Sequence, residues 1–349
     1  MKKDVTIGLL GTGEIGRLHA RAHAGTEGTR LCIAGLIQPE QERELSARHG
    51  AELYASLEAL LDNPGVDAVD ICLPNDLHRP YAVRALEAGK HVFCEKPMAL
   101  TLEDADAMID AARRAGRFLM IGHVLRFWPE YRKIKEVLDA RALGAPLLAT
   151  ARRNVSLLVG TRGDQGWRHD PQRSGGAVLD LQVHDLDVFC WFFGRPRSLI
   201  ARGIRSPDGA LSHVFTHLEF PGAQQALVEA SFMMRGNPID IFVRVLGSER
   251  SLEYTFQPEH FALHELASHG KPGKRPSLIL YEWQKEPQPL YVPQADSFEV
   301  ALRDELRYFA DCVRTGNSPS VGSAEQARLA LEIALVSQES CETGEAVSW

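Results

Sequence analysis

A glycine-rich turn near the N-terminus limits the fold of this chain more than any other feature. The turn Gly11-Thr12-Gly13-Glu14-Ile15-Gly16 follows a short apolar run at 5–10, and a helical pattern begins near Ile15. In such a turn the first glycine makes the bend, the second lets a pyrophosphate approach the backbone, and the third lets helix and strand pack closely. The pattern predicts a dinucleotide site lined by residues 11–15, with a purely structural turn as the alternative.

Strands and helices alternate through the first third of the chain. Further apolar runs at 31–37, 68–73, 91–94 and 118–121 predict strands, and helical patterns at 40–49, 56–61, 78–88 and 102–116 separate them. Thr101 is placed to cap the last of these helices, with Asp104 three residues on. This alternation predicts a Rossmann domain over residues 1–123, built on a doubly wound parallel sheet.

The pattern changes after Gly122. A helix is predicted at 129–140, a strand at 147–155, a loop at 159–176 and one helix at 177–193. Alternating β runs then occupy 198–254, and two helices at 298–315 and 324–340 close the sequence. Residues 124–349 are therefore expected to form an α+β substrate and oligomerisation domain on an open, mostly antiparallel sheet, whose last helices can pack back on the first domain.

Composition narrows the class of protein. The chain has 349 residues, 44% of them hydrophobic, and a formal net charge of -7, which favours two domains and gives no general attraction to nucleic acid or to an anionic membrane. No apolar run approaches the ~20 residues of a membrane helix. The six cysteines are scattered without CxxC spacing. They indicate reduced thiols in a cytoplasmic protein and argue against a metal cluster or a disulfide framework.

The choice between NAD and NADP depends on the end of the second strand. An acid usually stands there to bind the adenosine ribose, but this chain has Gln38, and the nearest acid is Glu40. Gln38 can hydrogen-bond a ribose hydroxyl without repelling a 2′-phosphate. Arg43, one helical turn on, can in principle meet a phosphate. The choice stays open, with a slight preference for NAD because no basic residue directly follows the strand.

Lys96 is predicted to stand at the carboxyl end of a parallel strand, in the sequence Glu95-Lys96-Pro97. Ligands of doubly wound sheets bind beyond this edge. Pro97 biases Lys96 away from helix, and a cis peptide bond before it is possible. A surface lysine paired with Glu95 is the alternative. The position favours a functional lysine.

Asp180 and His184 are four residues apart on a predicted helix and so share a face. Oxidation of an alcohol needs a base for the hydroxyl proton, and histidine has a suitable pKa, with a carboxylate to orient its ring. A surface Asp–His pair and a pair of metal ligands are the alternatives. No third ligand stands at recognisable spacing, so a metal is not expected.

Three stretches resemble the glucose–fructose oxidoreductase, inositol dehydrogenase and rhizopine-catabolism (Gfo/Idh/MocA) oxidoreductases. They are GTGEIGRLHA at 11–20, LPNDLHRPYAVRALEAGKHVFCEKPMALT at 73–101 and SGGAVLDLQVHDLDVFCWFFG at 174–194. The resemblance implies a catalytic set of Lys96, Asp180 and His184. His184 would accept the hydroxyl proton, Asp180 would orient it or bind the hydroxyl, and Lys96 would hold the substrate oxygen.

The resemblance also implies a cofactor site and an assembly. Pro74, Asn75 and His78 would line the nicotinamide side of the cofactor, and Glu95 and Lys96 would contact it. A homodimer or homotetramer would form through the second sheet. Two departures from the family pattern stand out: the missing acid after the second strand, and Ala177 in place of the third glycine of a GGG run.

The implied reaction is hydride transfer between NAD(P) and a hydroxyl carbon of a sugar, sugar derivative or cyclitol. Two alternatives stay open: a glycosidase with an internal redox cycle on a tightly held NAD, and a non-catalytic nucleotide-binding regulator. Several arginines precede the Asp180 helix and raise the hypothesis of an acidic substrate, although pairing with Asp164, Asp170 and other acids is the stronger expectation. The candidate substrate residues are Arg126, Arg153, Trp167 and Arg168.

Overall fold

The computed structural model describes residues 4–35, 38–156, 166–168, 170–207, 209–234, 239–256, 277–293 and 295–349. The chain divides into two compact units. Unit 1 comprises Met1–Val124 and Ala301–Arg328, and unit 2 comprises Leu125–Val300 and Leu329–Trp349. Residues 159–165 and 169 of the loop predicted at 159–176, and the last two residues of the strand predicted at 31–37, lie outside the described residues. Within the described ranges, no helix is both long and apolar enough to cross a bilayer.

Unit 1 alternates strands and helices, as the sequence predicts. Its strands are β1 (Val5–Leu10), β2 (Thr29–Ala34), β3 (Glu52–Tyr54), β4 (Ala68–Ile71), β5 (His91–Glu95) and β6 (Leu119–Gly122). Its helices are α1 (Glu14–Ala24), α2 (Pro39–His49), α3 (Leu57–Leu61), α4 (His78–Glu87) and α5 (Leu102–Ala115), with a 3-10 turn at Asn75–Leu77. The predicted cap of α5 is confirmed, since the Asp104 N–H donates to Thr101 Oγ1 at 3.1 Å.

The six strands form one parallel sheet in the order β3-β2-β1-β4-β5-β6. The strand order reverses direction between β1 and β4, so this is the doubly wound topology and its switch point. All four residues of β4 are buried, as expected for a strand covered on both faces. The predicted Rossmann sheet is thus confirmed, and only the short strand β3 was not predicted.

Unit 2 is built on a larger sheet. Its strands are β7 (Pro146–Val155), β8 (Ser198–Arg205), β9 (Leu211–Glu219), β10 (Gln225–Ser231), β11 (Ile239–Gly247), β12 (Arg250–Phe256), β13 (Leu278–Glu282), β14 (Gln288–Tyr291) and β15 (Val347–Ser348). Its helices are α6 (Pro129–Asp139), α7 (Pro171–Ser174) and α8 (Val183–Phe193). A 3-10 turn, Val124–Arg126, lies at the boundary.

Two long helices, α9 (Ser297–Thr315) and α10 (Ala324–Thr343), contribute residues to both units. The nine strands run in the order β14-β13-β12-β11-β7-β10-β9-β8-β15, with β7 and β10 parallel and the other pairs antiparallel. The expected mostly antiparallel sheet is therefore confirmed. Strands β13, β14 and β15 were not predicted.

The helix predicted at 177–193 is two different elements. Val178–Gln182 is a π-helical turn, and a regular α-helix begins only at Val183. Such turns are rare and concentrate at functional sites. Periodicity in the sequence cannot distinguish the two because a single π-helical turn is too short to show a period of its own.

Candidate active site

The glycine turn has the geometry that a bound pyrophosphate requires. Gly11 has a φ of 99°, and a Cβ there would lie 2.4 Å from the carbonyl oxygen of Cys72. A Cβ at Gly16 would lie 2.0 Å from the Gly11 oxygen, whereas one at Gly13 would meet nothing within 4 Å. The first and third glycines are thus fixed by packing, and the second faces open space. No side chain caps α1 at Gly13, so its first turn can receive a phosphate.

Gln38 stands at the start of α2, as the sequence predicts. Its side chain is exposed, and its backbone N–H donates to Glu42 Oε1 at 3.1 Å. Glu42 itself is buried, and its carboxylate is turned to the backbone. At the end of the second strand, the side chain of Gln38 is therefore available to hydrogen-bond a ribose hydroxyl, whereas that of Glu42 is buried.

His78 has a different role from the predicted one. The ring is fully buried, with Nδ1 2.7 Å from the carbonyl oxygen of Pro97 and Nε2 2.9 Å from that of Leu73. Burial lowers the pKa of His78 although both carbonyls oppose the shift. Both ring nitrogens therefore face main-chain carbonyls, and the single N–H of a neutral ring donates to one of the two. His78 ties the segment before Pro74 to the segment after Lys96 and has no nitrogen left for a ligand.

Lys96 follows the last residue of β5, which places it at the carboxyl edge of the sheet. The Lys96–Pro97 peptide bond is cis, the form that the sequence left open. Lys96 is half-buried, and its backbone N–H donates to Glu95 Oε2 at 3.2 Å. Asn75, in the loop after β4, is buried. Both residues belong to loops at the sheet edge where ligands of this topology bind.

A buried cluster of polar groups that was not predicted from the sequence lies behind Lys96. His19 and His23 of α1 both approach Asp70 Oδ2, at 2.9 Å from Nδ1 and 2.8 Å from Nε2 respectively. Cys72 Sγ donates to Asp70 Oδ1 at 3.6 Å. The available signals were a carboxylate inside the apolar strand Ala68–Ile71 and two histidines four residues apart on α1.

Burial and charge oppose each other in this cluster. Burial alone would lower the pKa of His19, but the Asp70 carboxylate raises that pKa well above its ordinary value. Burial would raise the pKa of Asp70, and His19 instead lowers it. The nitrogen–oxygen distances are those of hydrogen bonds, whereas two ligands of one tetrahedral zinc would be roughly 3.3 Å apart. The group is a hydrogen-bonded ion cluster.

Asp180 and His184 lie in unit 2, one on the π-helical turn and the other in the first turn of α8. Asp180 is buried and His184 is half-buried. The turn is anchored to the sheet by Gln182, another residue that the sequence analysis missed. Its Nε2 donates to the Val228 oxygen at 3.1 Å, and its Oε1 accepts from Thr216 Oγ1 at 3.1 Å.

One of the four candidate substrate residues, Arg168, adjoins Asp180, and a second, Trp167, packs against Arg168. Arg168 Nε lies 3.5 Å from Asp180 Oδ2, and the Arg168 guanidinium lies 4.5 Å from the centre of the Trp167 ring. Trp167 is buried, whereas Arg168 keeps part of its surface exposed. Trp167, Arg168 and Asp180 therefore form one group. Among the candidate substrate arginines, Arg168 is the one whose side chain remains accessible to a ligand.

The other two candidates are held inside unit 2. Arg153 makes a bidentate pair with Asp185, at 2.7 and 3.1 Å, and Arg126 makes one with Asp187, at 2.8 Å for both contacts. Arg153 also donates to Tyr131 Oη at 3.1 Å. Both guanidinium groups are buried, so they fix the helix that begins beside His184, and the structure gives them a supporting role in place of the expected substrate contact.

The partners of the arginines differ from those expected. Asp170 caps α7, with Oδ1 2.9 Å from the Gln172 N–H, and Asp164 lies outside the described residues. Arg152 pairs with Asp240 on the neighbouring strand. Arg152 and Arg153 thus pair with carboxylates, as expected in general. The acids that they pair with are Asp240 on β11 and Asp185 on α8. Pairs between strands and helices cannot be read from spacing along the chain.

Comparison with known proteins agrees with this architecture. Residues 5–123 match the model of an oxidoreductase family with an NAD-binding Rossmann fold, and residues 131–253 match the GFO/IDH/MocA C-terminal domain. The chain is 30% identical to inositol 2-dehydrogenase of Ralstonia nicotianae, over 96% of this chain and 94% of the relative. It is 27% identical to the scyllo-inositol 2-dehydrogenase (NAD(+)) of Bacillus subtilis, over 99% of this chain and 96% of that one.

A solved structure shows the same likeness. The aldose-aldose oxidoreductase of Caulobacter crescentus, in complex with glycerol, matches with a TM-score of 0.82 and 25% identity, covering 99% of this chain and 100% of the other. Fold, glycine turn and matched models together define an oxidoreductase with an NAD-binding Rossmann domain. The chain belongs to the Gfo/Idh/MocA oxidoreductase family.

Proposed function

We propose that this protein is an NAD-dependent dehydrogenase or reductase that transfers a hydride between nicotinamide and a hydroxyl-bearing carbon of a neutral sugar or cyclitol. The observation that supports this most is the full-length likeness to an inositol 2-dehydrogenase, in a chain that has Lys96 after β5 and Asp180 and His184 around the start of α8. The proposed catalytic residues are Lys96, Asp180 and His184.

The chemistry assigns each of these side chains one task. The bound nicotinamide would accept the hydride from the alcohol carbon. His184 accepts the hydroxyl proton as general base. Asp180 hydrogen-bonds the hydroxyl or the imidazole, and Lys96 favours the alkoxide-like oxygen by its charge. In the direction of reduction, His184 returns the proton to the oxygen.

The cofactor would be held by the turn at residues 11–15, by Gln38, and by the loops that carry Pro74, Asn75, Glu95 and Lys96. Open space at Gly13 and the uncapped first turn of α1 support this assignment. Gln38 is exposed and uncharged, which favours ribose hydroxyls over the extra phosphate of NADP because no cation stands at that position.

A neutral substrate is favoured by the state of the arginines. Arg126 and Arg153 are each neutralised by a buried carboxylate, and a bidentate pair leaves little capacity for a second anion. Arg168 adjoins Asp180, so its charge is also partly balanced. Trp167 and Arg168 are the proposed substrate contacts, and a polyol is the ligand class that suits them.

Assembly through the second sheet is part of the same proposal. On one face of β8, β9 and β10, the side chains of Ile204, Phe215 and Leu227 are 54%, 41% and 39% exposed. Apolar groups placed together on a sheet face are commonly covered by association.

The six cysteines are free thiols and four of them are buried, which suits the reducing cytoplasm.

The proposal is tested by replacing the base and the lysine. In His184→Ala we expect turnover on a sugar or cyclitol substrate to fall by roughly 10²–10⁴-fold, and we expect Lys96→Ala to lower it as well. Cofactor affinity, followed by quenching of protein fluorescence, should remain near wild type in His184→Ala. Rates are followed by nicotinamide absorbance on a panel of neutral and acidic sugars and cyclitols.

Matched controls are available within the same chain. His217 lies on β9 with a ring nitrogen 3.0 Å from Gln225 Oε1, and Lys133 pairs with Glu136 on the surface of α6. Alanine at either position should leave turnover unchanged. Wild-type rates in both site variants would contradict the catalytic set. Turnover with no net consumption of free NAD would instead indicate the internal redox cycle, and binding of NAD without turnover on any substrate would indicate a regulator.

A further inference from the structure

His19 lies between two carboxylates inside unit 1. Its side chain is fully buried, with Nδ1 2.9 Å from Asp70 Oδ2 and Nε2 3.3 Å from Glu95 Oε1. The ring comes from α1, and the two acids come from the neighbouring strands β4 and β5. The His19 side chain therefore connects α1, which begins at the glycine turn, to β5, the strand that Lys96 follows.

The charges around this ring require a cation. Both acceptors are carboxylates, and buried charges are stable only when they are paired and hydrogen-bonded. The other titratable groups of the cluster are His23, which also contacts Asp70, and Cys72, whose thiol donates to it. Burial opposes the charge on His19, but the Asp70 carboxylate raises the pKa of His19 well above its ordinary value, so the ring is protonated. The Nδ1–H of the imidazolium bonds to Asp70, and its Nε2 faces Glu95 at ion-pair distance without forming a hydrogen bond.

Glu95 transmits this contact to Lys96. One oxygen of Glu95 faces His19, and the other accepts the backbone N–H of Lys96 at 3.2 Å. The carboxylate also lies against Gly122, the partner of Glu95 in β6, where a Cβ would come within 2.7 Å of Glu95 Oε1. The Glu95 carboxylate thus faces the charge of the His19 ring on one side and accepts a peptide N–H on another, and Gly122 leaves room for it on a third.

We propose that His19 is a positioning residue for Lys96. Its imidazolium holds the Glu95 carboxylate, and the Glu95 carboxylate holds the backbone of Lys96 at the end of β5. The inference rests on the proposed function for the role of Lys96 in catalysis, but the structural link between His19 and the Lys96 N–H can be measured without a substrate.

Two substitutions separate the two contacts of the ring. Asparagine places its amide near the former Nδ1 and keeps the bond to Asp70, whereas glutamine reaches the former Nε2 and keeps the contact with Glu95. We expect the Lys96 amide resonance, observed in protein labelled with ¹⁵N-lysine, to move in His19→Asn and to stay close to wild type in His19→Gln. His23→Gln retains a donor toward Asp70, has no contact with Glu95, and should leave the resonance unchanged.

Turnover should follow the same order. We expect kcat to fall about 10- to 100-fold in His19→Asn, with the KM for NAD changed much less, because a small displacement of a catalytic group is costly. His19→Gln should recover most of this loss. An unmoved Lys96 resonance in folded His19→Asn, or equal losses of kcat in His19→Asn and His23→Gln, would overturn the proposal.

The two hypotheses fail in different ways. If the wild-type protein turns over no sugar or cyclitol, the proposed function is wrong, and the Lys96 resonance still decides the role of His19. If His19→Asn does not fold, Glu95→Gln removes the charge that the ring faces and keeps the acceptor for the Lys96 N–H. In that variant we expect the ring nitrogens of His19 to show a changed ¹⁵N shift, and an unchanged shift would contradict the link.

Discussion

Gln38 is the residue that we expect to decide between the two nicotinamide cofactors. It is exposed at the start of α2, and the nearby Glu42 is occupied by the Gln38 backbone N–H. In Gln38→Asp a carboxylate would accept from the ribose hydroxyls and repel a 2′-phosphate. We expect the ratio of kcat/KM for NAD to that for NADP to rise by at least about tenfold, or about 1.4 kcal/mol.

A neighbouring acid provides the control for this prediction. Glu40 is exposed in the first turn of the same helix, and Glu40→Gln changes the local charge without changing the residue that meets the ribose. The ratio should therefore stay at its wild-type value in Glu40→Gln. An unchanged ratio in Gln38→Asp, measured by initial rates with both cofactors, would show that the adenosine ribose is recognised elsewhere.

Single residues also mark the limit of what the sequence can predict about the site. Lys96 was predicted from its place at a strand end, Asp180 from its helical spacing to His184, and His78 from the family resemblance alone. The direction of the His78 ring, toward the oxygens of Leu73 and Pro97, depends on two loops that are distant along the chain. Spacing identifies a residue as special and does not say which neighbour it faces.

At the scale of elements, the parallel strands of unit 1 were predicted from the sequence and the π-helical turn of unit 2 was not. The parallel strands follow from short apolar runs between helices, which is the pattern expected of strands buried on both faces. The π-helical turn at Val178–Gln182 has no such signal. Its conformation depends on Gln182 bonding Val228 and Thr216, and those contacts exist only after the sheet has formed.

The strand β5 carries a pH-dependent contribution to stability at its first residue. His91 Nδ1 accepts the Phe118 N–H at 2.9 Å, a bond that needs a neutral ring nitrogen. Burial and the charge of Arg117 lower the pKa of His91 to about 4, from an ordinary value of 6.5. Below pH 6.5 the unfolded chain therefore binds a proton that the folded chain does not bind until about pH 4, and the free energy of unfolding falls across this window.

We expect His91→Asn to remove this contribution because an asparagine oxygen can accept the same N–H and does not titrate. The difference in unfolding free energy between wild type and variant should change by roughly 1–2 kcal/mol from pH 7 to pH 4, after allowance for solvent screening. Urea unfolding at several pH values measures it. Lys133→Ala, on the surface of α6, is the control, and parallel curves for wild type and His91→Asn would contradict the assignment.

At the scale of the whole molecule, the two faces of the second sheet differ in a way that bears on assembly. Along β9, Val214, Thr216 and Leu218 are buried, whereas Phe215 between them is 41% exposed. The register pairs Phe215 with Glu229 and His217 with Leu227, so the exposed apolar groups are neighbours on one face. The pattern of alternation predicts this face from the sequence, but it cannot say what covers it.

We expect the double variant Phe215→Lys, Leu227→Lys to lose self-association. Lysine at 215 stands opposite Glu229, so the substitution is tolerated within the sheet, whereas two charges per chain would have to be buried in an interface. Wild type should elute as a multiple of 38.6 kDa in light scattering after size exclusion, and the variant as a monomer, with Kd raised at least about 100-fold. Trp283→Lys, at a position that is 85% exposed after β13, is the matched control and should keep the wild-type mass. A monomeric wild type would show that there is no interface. A double variant that still assembles would show that the interface lies elsewhere.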